Sequence, residues 1–102
     1  MATQLFFVRG EVDIATAPRL QCELEERVRA GGGDLVLDCR ELTFIDSSGI
    51  AAIVRTHRRL VGEGRELRIV NANRQARLAL DVSGLTDVLH VNEHFAESAP
   101  GK

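Results

Sequence analysis

Leu42-Thr43-Phe44-Ile45-Asp46-Ser47-Ser48-Gly49-Ile50 carries an apolar, strand-like run into an acid, two hydroxyls and a glycine, and then into a helix. Asp46, Ser47 and Ser48 are each good N-cap residues, because a short side-chain oxygen can accept a hydrogen bond from the first unpaired helical N–H groups. Ile50, Ile53, Val54 and Val61 follow at helical spacing, so a helix is predicted from about Ser48 to Val61, stopping at Gly62. A serine hydroxyl therefore sits at a helix start, where the aligned backbone favours negative charge. A phosphate on Ser47 or Ser48 is compatible with the fold at that place, and it changes the charge of whatever surface lies above. Plain capping, worth roughly 1 kcal/mol, explains the same residues.

Strands and helices alternate on both sides of this stretch. Leu5 to Val8 reads as a short apolar strand, after which Gly10 to Asp13 is expected to turn the chain toward a helix capped by Thr16. Pro18 falls in the first turn, where its missing N–H costs little, and Leu20, Leu24 and Val28 make one apolar stripe before Gly31-Gly32-Gly33 ends the helix. Leu35-Val36-Leu37 is a continuous apolar run and reads as a buried strand, as does Leu67-Arg68-Ile69-Val70. A third helix is expected between Asn73 and Gly84, then a short strand Val88-Leu89-His90-Val91, then a helical turn or two capped by Asn92. The order implies an α/β fold with parallel strands, right-handed crossovers and functional loops at the strand ends.

Three segments carry a family resemblance. Phe44-Ile45-Asp46-Ser47-Ser48-Gly49-Ile50, preceded by Leu35-Val36-Leu37-Asp38, resembles the signature of the STAS domain, the fold of bacterial anti-sigma factor antagonists. Gly10-Glu11-Val12-Asp13 with Thr16-Ala17 resembles the family's strand-to-helix entry, and Leu80-Asp81-Val82-Ser83-Gly84-Leu85 resembles its third helix and exit turn. The segments are correctly ordered and together reach across most of the chain.

The resemblance implies a single STAS-like α/β domain over residues 1–97, with a flexible tail at 98–102, and a mostly parallel sheet of four to five strands with about four helices. It makes Ser47 the phosphoacceptor and Ser48 its neighbour. Asp13 matches an acid linked to kinase contact, although a turn or cap role explains that residue equally well. Asp13, Asp46, Ser47, Ser48 and Gly49 become the partner-binding set. The implied partner is an anti-sigma factor that doubles as a serine kinase of histidine-kinase-like fold. It binds the unphosphorylated chain and is released on phosphorylation, and a serine phosphatase reverses the step. The alternative is a constitutive scaffold subunit of a lipid-transport or signalling complex. STAS domains usually begin with an additional strand, and this chain starts too late to supply it, so the sheet edge is expected to be short or open to pairing with another chain.

Length and composition bound the remaining readings. The 102 residues fit one domain, and 44% hydrophobic with 27% charged residues is ordinary for a globular protein. A formal charge of −2 argues against nucleic acid as a direct partner, since such affinity rests on clustered basic surface. Arg55, Arg58 and Arg59 read as the solvated face of the second helix. No apolar run approaches the roughly 20 residues of a membrane span, and Met1-Ala2-Thr3-Gln4 has no signal-like character, so a cytoplasmic location without membrane insertion is expected. Cys22 and Cys39 are then expected to be reduced, packed thiols.

Catalytic constellations fare poorly. Cys39 between Asp38 and Arg40 at a strand end superficially resembles a sulfurtransferase loop, but Glu41-Leu42-Thr43 provides no glycine-bearing anion cradle, and the Glu41 carboxylate opposes a thiolate. His57, His90 and His94 lack metal-ligand spacing, and Gly31-Gly32-Gly33 leads into a strand rather than a helix. No enzymatic activity, metal or cofactor is expected.

Overall fold

The computed structural model describes residues 3–84 and the backbone of 90–92. β1 (Gln4–Val12) alternates as a half-covered strand should: Phe6, Val8 and Val12 are buried, while Phe7, Arg9 and Glu11 face the other way and are exposed. The expected turn at Gly10–Asp13 is corrected here, because the strand continues through Gly10 to Val12. Gly10 takes φ +72° where the register with β2 slips, between Phe7 and Arg9 and again between Gly10 and Glu11. Such irregularities bend a strand without ending it.

β2 (Leu35–Ile45) is longer than the sequence suggests. Leu35 to Cys39 are all buried, as expected of a strand covered on both faces, and Asp38-Cys39-Arg40-Glu41 continues the strand instead of breaking it. Charge concealed this continuity. Asp38 is buried, and its carboxylate accepts bonds from Arg40 Nε and Nη2 at 3.1 and 2.8 Å and from Asn71 Nδ2 at 3.0 Å. Burial pushes the Asp38 pKa up, but the Arg40 and Asn71 hydrogen bonds outweigh it and hold the carboxyl below the usual aspartate value.

α1 (Ala17–Ala30), α2 (Ser47–Gly62), β3 (Leu67–Val70), α3 (Arg74–Val82) and β4 (His90–Asn92) complete the described elements. The strands are parallel and lie in the order β1-β2-β3-β4. Leu20, Leu24 and Val28 of α1 and Ile50, Ile53 and Leu60 of α2 meet Phe6, Val8, Leu37 and Cys39 in one core. At the opposite end from the strand tips, Arg65 is buried and donates to the carbonyls of Gly33, Val28 and Gly31 at 2.8, 3.1 and 2.7 Å. Those bonds tie down the glycine turn after α1, whose carbonyls have no helical partner.

Several boundaries differ from expectation. Four strands, within the expected four to five, and three of the about four expected helices occur among the described residues. Residues 85–89 and 93–102 lie outside them, so part of the expected last strand, the helical turn after Asn92 and the 98–102 tail are not described. α3 stops at Val82, and Gly84 at φ +75° follows it.

Candidate functional site

The site is built where β1 and β2 end together. Val12 stands opposite Ile45 in the parallel ladder, and the Asp46 N–H donates to the Val12 carbonyl at 3.1 Å. Asp13 and Asp46 are thus the next residues on neighbouring strands at the carboxyl end of the sheet, where loops of parallel α/β folds gather. Asp13 closes its own turn: Oδ1 accepts from Ala15 N at 3.0 Å and Thr16 N at 3.1 Å. Thr16 occupies the N-cap position but makes no side-chain capping bond; its hydroxyl instead accepts from Asp13 N at 2.9 Å and donates to Glu11 O at 3.0 Å. The exposed Ile14 projects from this turn.

Asp46 is the N-cap of α2, with Oδ1 accepting from Ser48 N at 2.9 Å and Gly49 N at 3.4 Å. That assignment leaves both serine hydroxyls free of capping duty. Ser47, the first helical residue, is exposed, and Ser48 is half-buried. Gly49 is required by close approach: an ideal Cβ there would lie 2.6 Å from Val12 Cγ1 and 2.7 Å from Ile45 Cγ1. The first turn of α2 rests directly on the ends of both strands.

The third wall comes from α3. Along β2, β3 pairs only with Leu35–Asp38, so among the described residues no strand covers that edge of the second half of β2. Gln75 takes the place of a strand there, accepting from Ile45 N at 3.1 Å and donating to Ile45 O at 2.9 Å, while Asn73 donates to Leu42 O at 2.9 Å. Asn73 also caps α3 through Ala76 N at 2.8 Å. Between α2 and α3 a shallow groove of about 350 Å³ opens beside Ser47, floored by Ile50, Leu78, Ala79 and Val82. Leu78 is 60% and Val82 81% exposed, so this is apolar surface facing solvent.

The structure therefore brings Asp13, Asp46, Ser47, Ser48 and Gly49 to one end of the sheet. Sequence reasoning did not find Gln75, Leu78 and Val82, because the docking of α3 against β2 leaves no local pattern. Cys39 is buried, and burial together with the neighbouring Asp38 charge pushes its thiol up to about 12, which removes it as a nucleophile. Cys22 is exposed on α1, correcting the expectation that it packs between Leu20 and Leu24. Among the described residues no cluster of metal-ligating side chains occurs, and no helix is long and apolar enough to cross a membrane.

The STAS domain family model matches residues 3–98. This chain belongs to the STAS domain family. A Staphylococcus aureus protein, "Anti-sigma-B factor antagonist", is 30% identical over 86 residues, spanning 84% of this chain and 80% of that protein. Among solved structures, an anti-sigma factor antagonist from Mycobacterium paratuberculosis superposes with a TM-score of 0.80 at 24% identity, covering 93% of this chain and 80% of that one. The anti-sigma factor antagonist SpoIIAA in its unphosphorylated form gives 0.77 at 20% identity, covering 97% and 86%. A sulfate transporter family protein from Wolinella succinogenes also gives 0.77 at 19% identity, covering 94% and 80%. At these identities the structural likenesses establish the fold, which anti-sigma factor antagonists share with transporter domains.

Proposed function

We propose that this STAS domain is an anti-sigma factor antagonist whose partner binding is switched by phosphorylation of Ser47. The observation that carries the reading is the division of labour at the start of α2. Asp46 does the capping, so the Ser47 hydroxyl stands exposed at the first helical position with nothing structural to do. Ser48 is half-buried, which favours Ser47 as the acceptor. The 30% identical anti-sigma-B factor antagonist supports the partner class.

The magnitudes fit a switch of binding rather than of folding. A phosphate adds about −1.5 to −2 charges, and the helix terminus offsets part of the disturbance by about 0.3–2 kcal/mol while water screens Asp46. In a complex the same group loses water and must be desolvated against the partner surface, and about 2.7 kcal/mol suffices for a hundredfold loss of affinity. The unphosphorylated surface offers Ile50, Leu78, Ala79 and Val82 beside the hydroxyl, apolar area that an anti-sigma factor buries on binding. In this reading the anti-sigma factor is also the kinase, with a histidine-kinase-like fold, and a serine phosphatase restores the binding form.

The test is incubation of the chain with candidate anti-sigma factors and ATP, followed by intact-mass measurement and phosphopeptide mapping. One phosphate on Ser47 is expected. An unchanged mass with every candidate kinase that binds the chain favours the constitutive scaffold, and a phosphate on Ser48 or Thr43 refutes the site.

A further inference from the structure

The outer edge of β1 is the longest unpaired strand edge among the described residues, because β1 pairs with β2 alone and begins the sheet. The direction of its backbone groups follows from two bonds. Gln4 N donates to Asp34 O at 2.9 Å and Val12 O accepts from Asp46 N at 3.1 Å, so the even-numbered residues address β2. The N–H and C=O groups of Leu5, Phe7 and Arg9 consequently point outward. Exposed edges of this kind are templates for another strand.

The edge is also shaped to receive one. A groove of about 480 Å³ runs beside it, between Phe6, Val8 and Val12 of β1 and Thr16, Leu20 and Arg27 of α1. On the opposite face Phe7 is 36% exposed, with Arg9 over its ring at 5.5 Å. Gln4-Leu5-Phe6-Phe7-Val8 is uncharged and rich in strand-favouring residues, without proline.

We propose that a second copy of this chain adds its β1 antiparallel to β1, about a two-fold axis at Val8, joining the two sheets edge to edge. The sequence is self-complementary in that register. Gln4 lies opposite the partner copy's Val12, so the whole strand overlaps, and no charge faces its like. Arg9 faces the second copy's Phe7, extending the cation–aromatic contact each chain already makes. Phe6 faces Gly10 of the second copy, where nothing lies within 4 Å of the missing Cβ, so the ring has room over the glycine. Shifting the strands by one pair toward Gly10 sets Arg9 against Arg9, which disfavours that alternative. The antiparallel arrangement points the two Ser47 sites in opposite directions, leaving both open to partners.

Sedimentation velocity of the full chain over a concentration series reads the oligomeric state, and amide exchange reads the edge. A reversible dimer is expected, with the Leu5, Phe7 and Arg9 amides gaining protection as concentration rises. Phe7→Lys, placed on the exposed edge, should weaken dimerisation by about tenfold or more while the melting transition stays cooperative. A monomer at every concentration overturns the proposal, as does a dimer whose Leu5, Phe7 and Arg9 amides exchange freely. If Phe7→Lys does not fold, the exchange pattern of the unmodified chain decides alone.

Discussion

Replacing Gly49 by alanine tests whether the Asp46–Gly49 turn is clamped onto the strand ends. In an unconstrained helix interior the change stabilises, since glycine there is worse than alanine by about 0.5–1 kcal/mol. At Gly49 the new methyl lies 2.6 Å from Val12 Cγ1, 2.7 Å from Ile45 Cγ1 and 3.0 Å from Ile45 Cδ1, well inside contact distance. Val12 and Ile45 are themselves 4% and 2% exposed and packed in the core, so neither can swing away without disturbing it. Overpacking of this kind costs about 1–3 kcal/mol, and subtracting the helix gain leaves a net loss of about 0–2.5 kcal/mol. Gly62 in the same helix is the control: nothing lies within 4 Å of its Cβ, and Gly62→Ala should stabilise by up to about 1 kcal/mol. Urea titration of both variants by circular dichroism measures the two signs. Equal effects at Gly49 and Gly62, or a more stable Gly49→Ala, would refute the close-packing argument.

Other expectations concern the same end of the sheet and its supports. Ser47→Ala should retain binding to the anti-sigma factor and Ser47→Asp should weaken it; equal affinities by titration calorimetry would sink the switch. Leu78→Asp should lower that affinity at least about tenfold with stability changed by under about 0.5 kcal/mol, since Leu78 is a solvent-facing residue of the groove. The folded-state pKa of Asp38 is lowered, so its contribution to stability is present above the unfolded aspartate value near 3.9 and is lost as pH falls through the folded value. Acid titration of stability should therefore show a component below about pH 4 that Asp38→Asn removes. Cys22 should react at once with a thiol reagent and Cys39 only on unfolding, given its burial and a thiol pushed up to about 12; two fast thiols would contradict this placement.

What the sequence disclosed and what it concealed divide along the range of the forces involved. The α1 stripe of Leu20, Leu24 and Val28 and the α2 start at Asp46-Ser47-Ser48 were legible because helical spacing and capping act over a turn or two. Strand lengths were not. Asp38-Cys39-Arg40 read as the end of a strand, yet the strand runs on, with Asp38 satisfied by Arg40 two residues away and by Asn71 from beyond β3. Gly10 read as a turn but lies inside β1 beside a register shift against β2, a distinction made only by the partner strand. Gln75 was invisible for the same reason. Its amide matters because β2 outruns β3, and no local pattern reports that mismatch.

Under the proposed switch, the rigidity of this turn bears on how a phosphate at Ser47 would act. Four independent fasteners meet there: the Asp46–Val12 backbone bond, the Asp46 cap, the paired Gln75–Ile45 bonds and the close seat of Gly49. A loosely held loop could carry a new charge away from a docked partner and relieve the repulsion at little cost. A turn fastened on three sides cannot, so the repulsion stays in the interface and shows as lost affinity. The prediction is that Gln75→Ala, which removes two of these bonds, reduces the difference in affinity between Ser47→Ala and Ser47→Asp more than it reduces the affinity of Ser47→Ala itself. A double-mutant cycle by calorimetry measures that coupling. Additive effects would mean that the fasteners serve stability alone and that the turn need not be stiff for the charge to act.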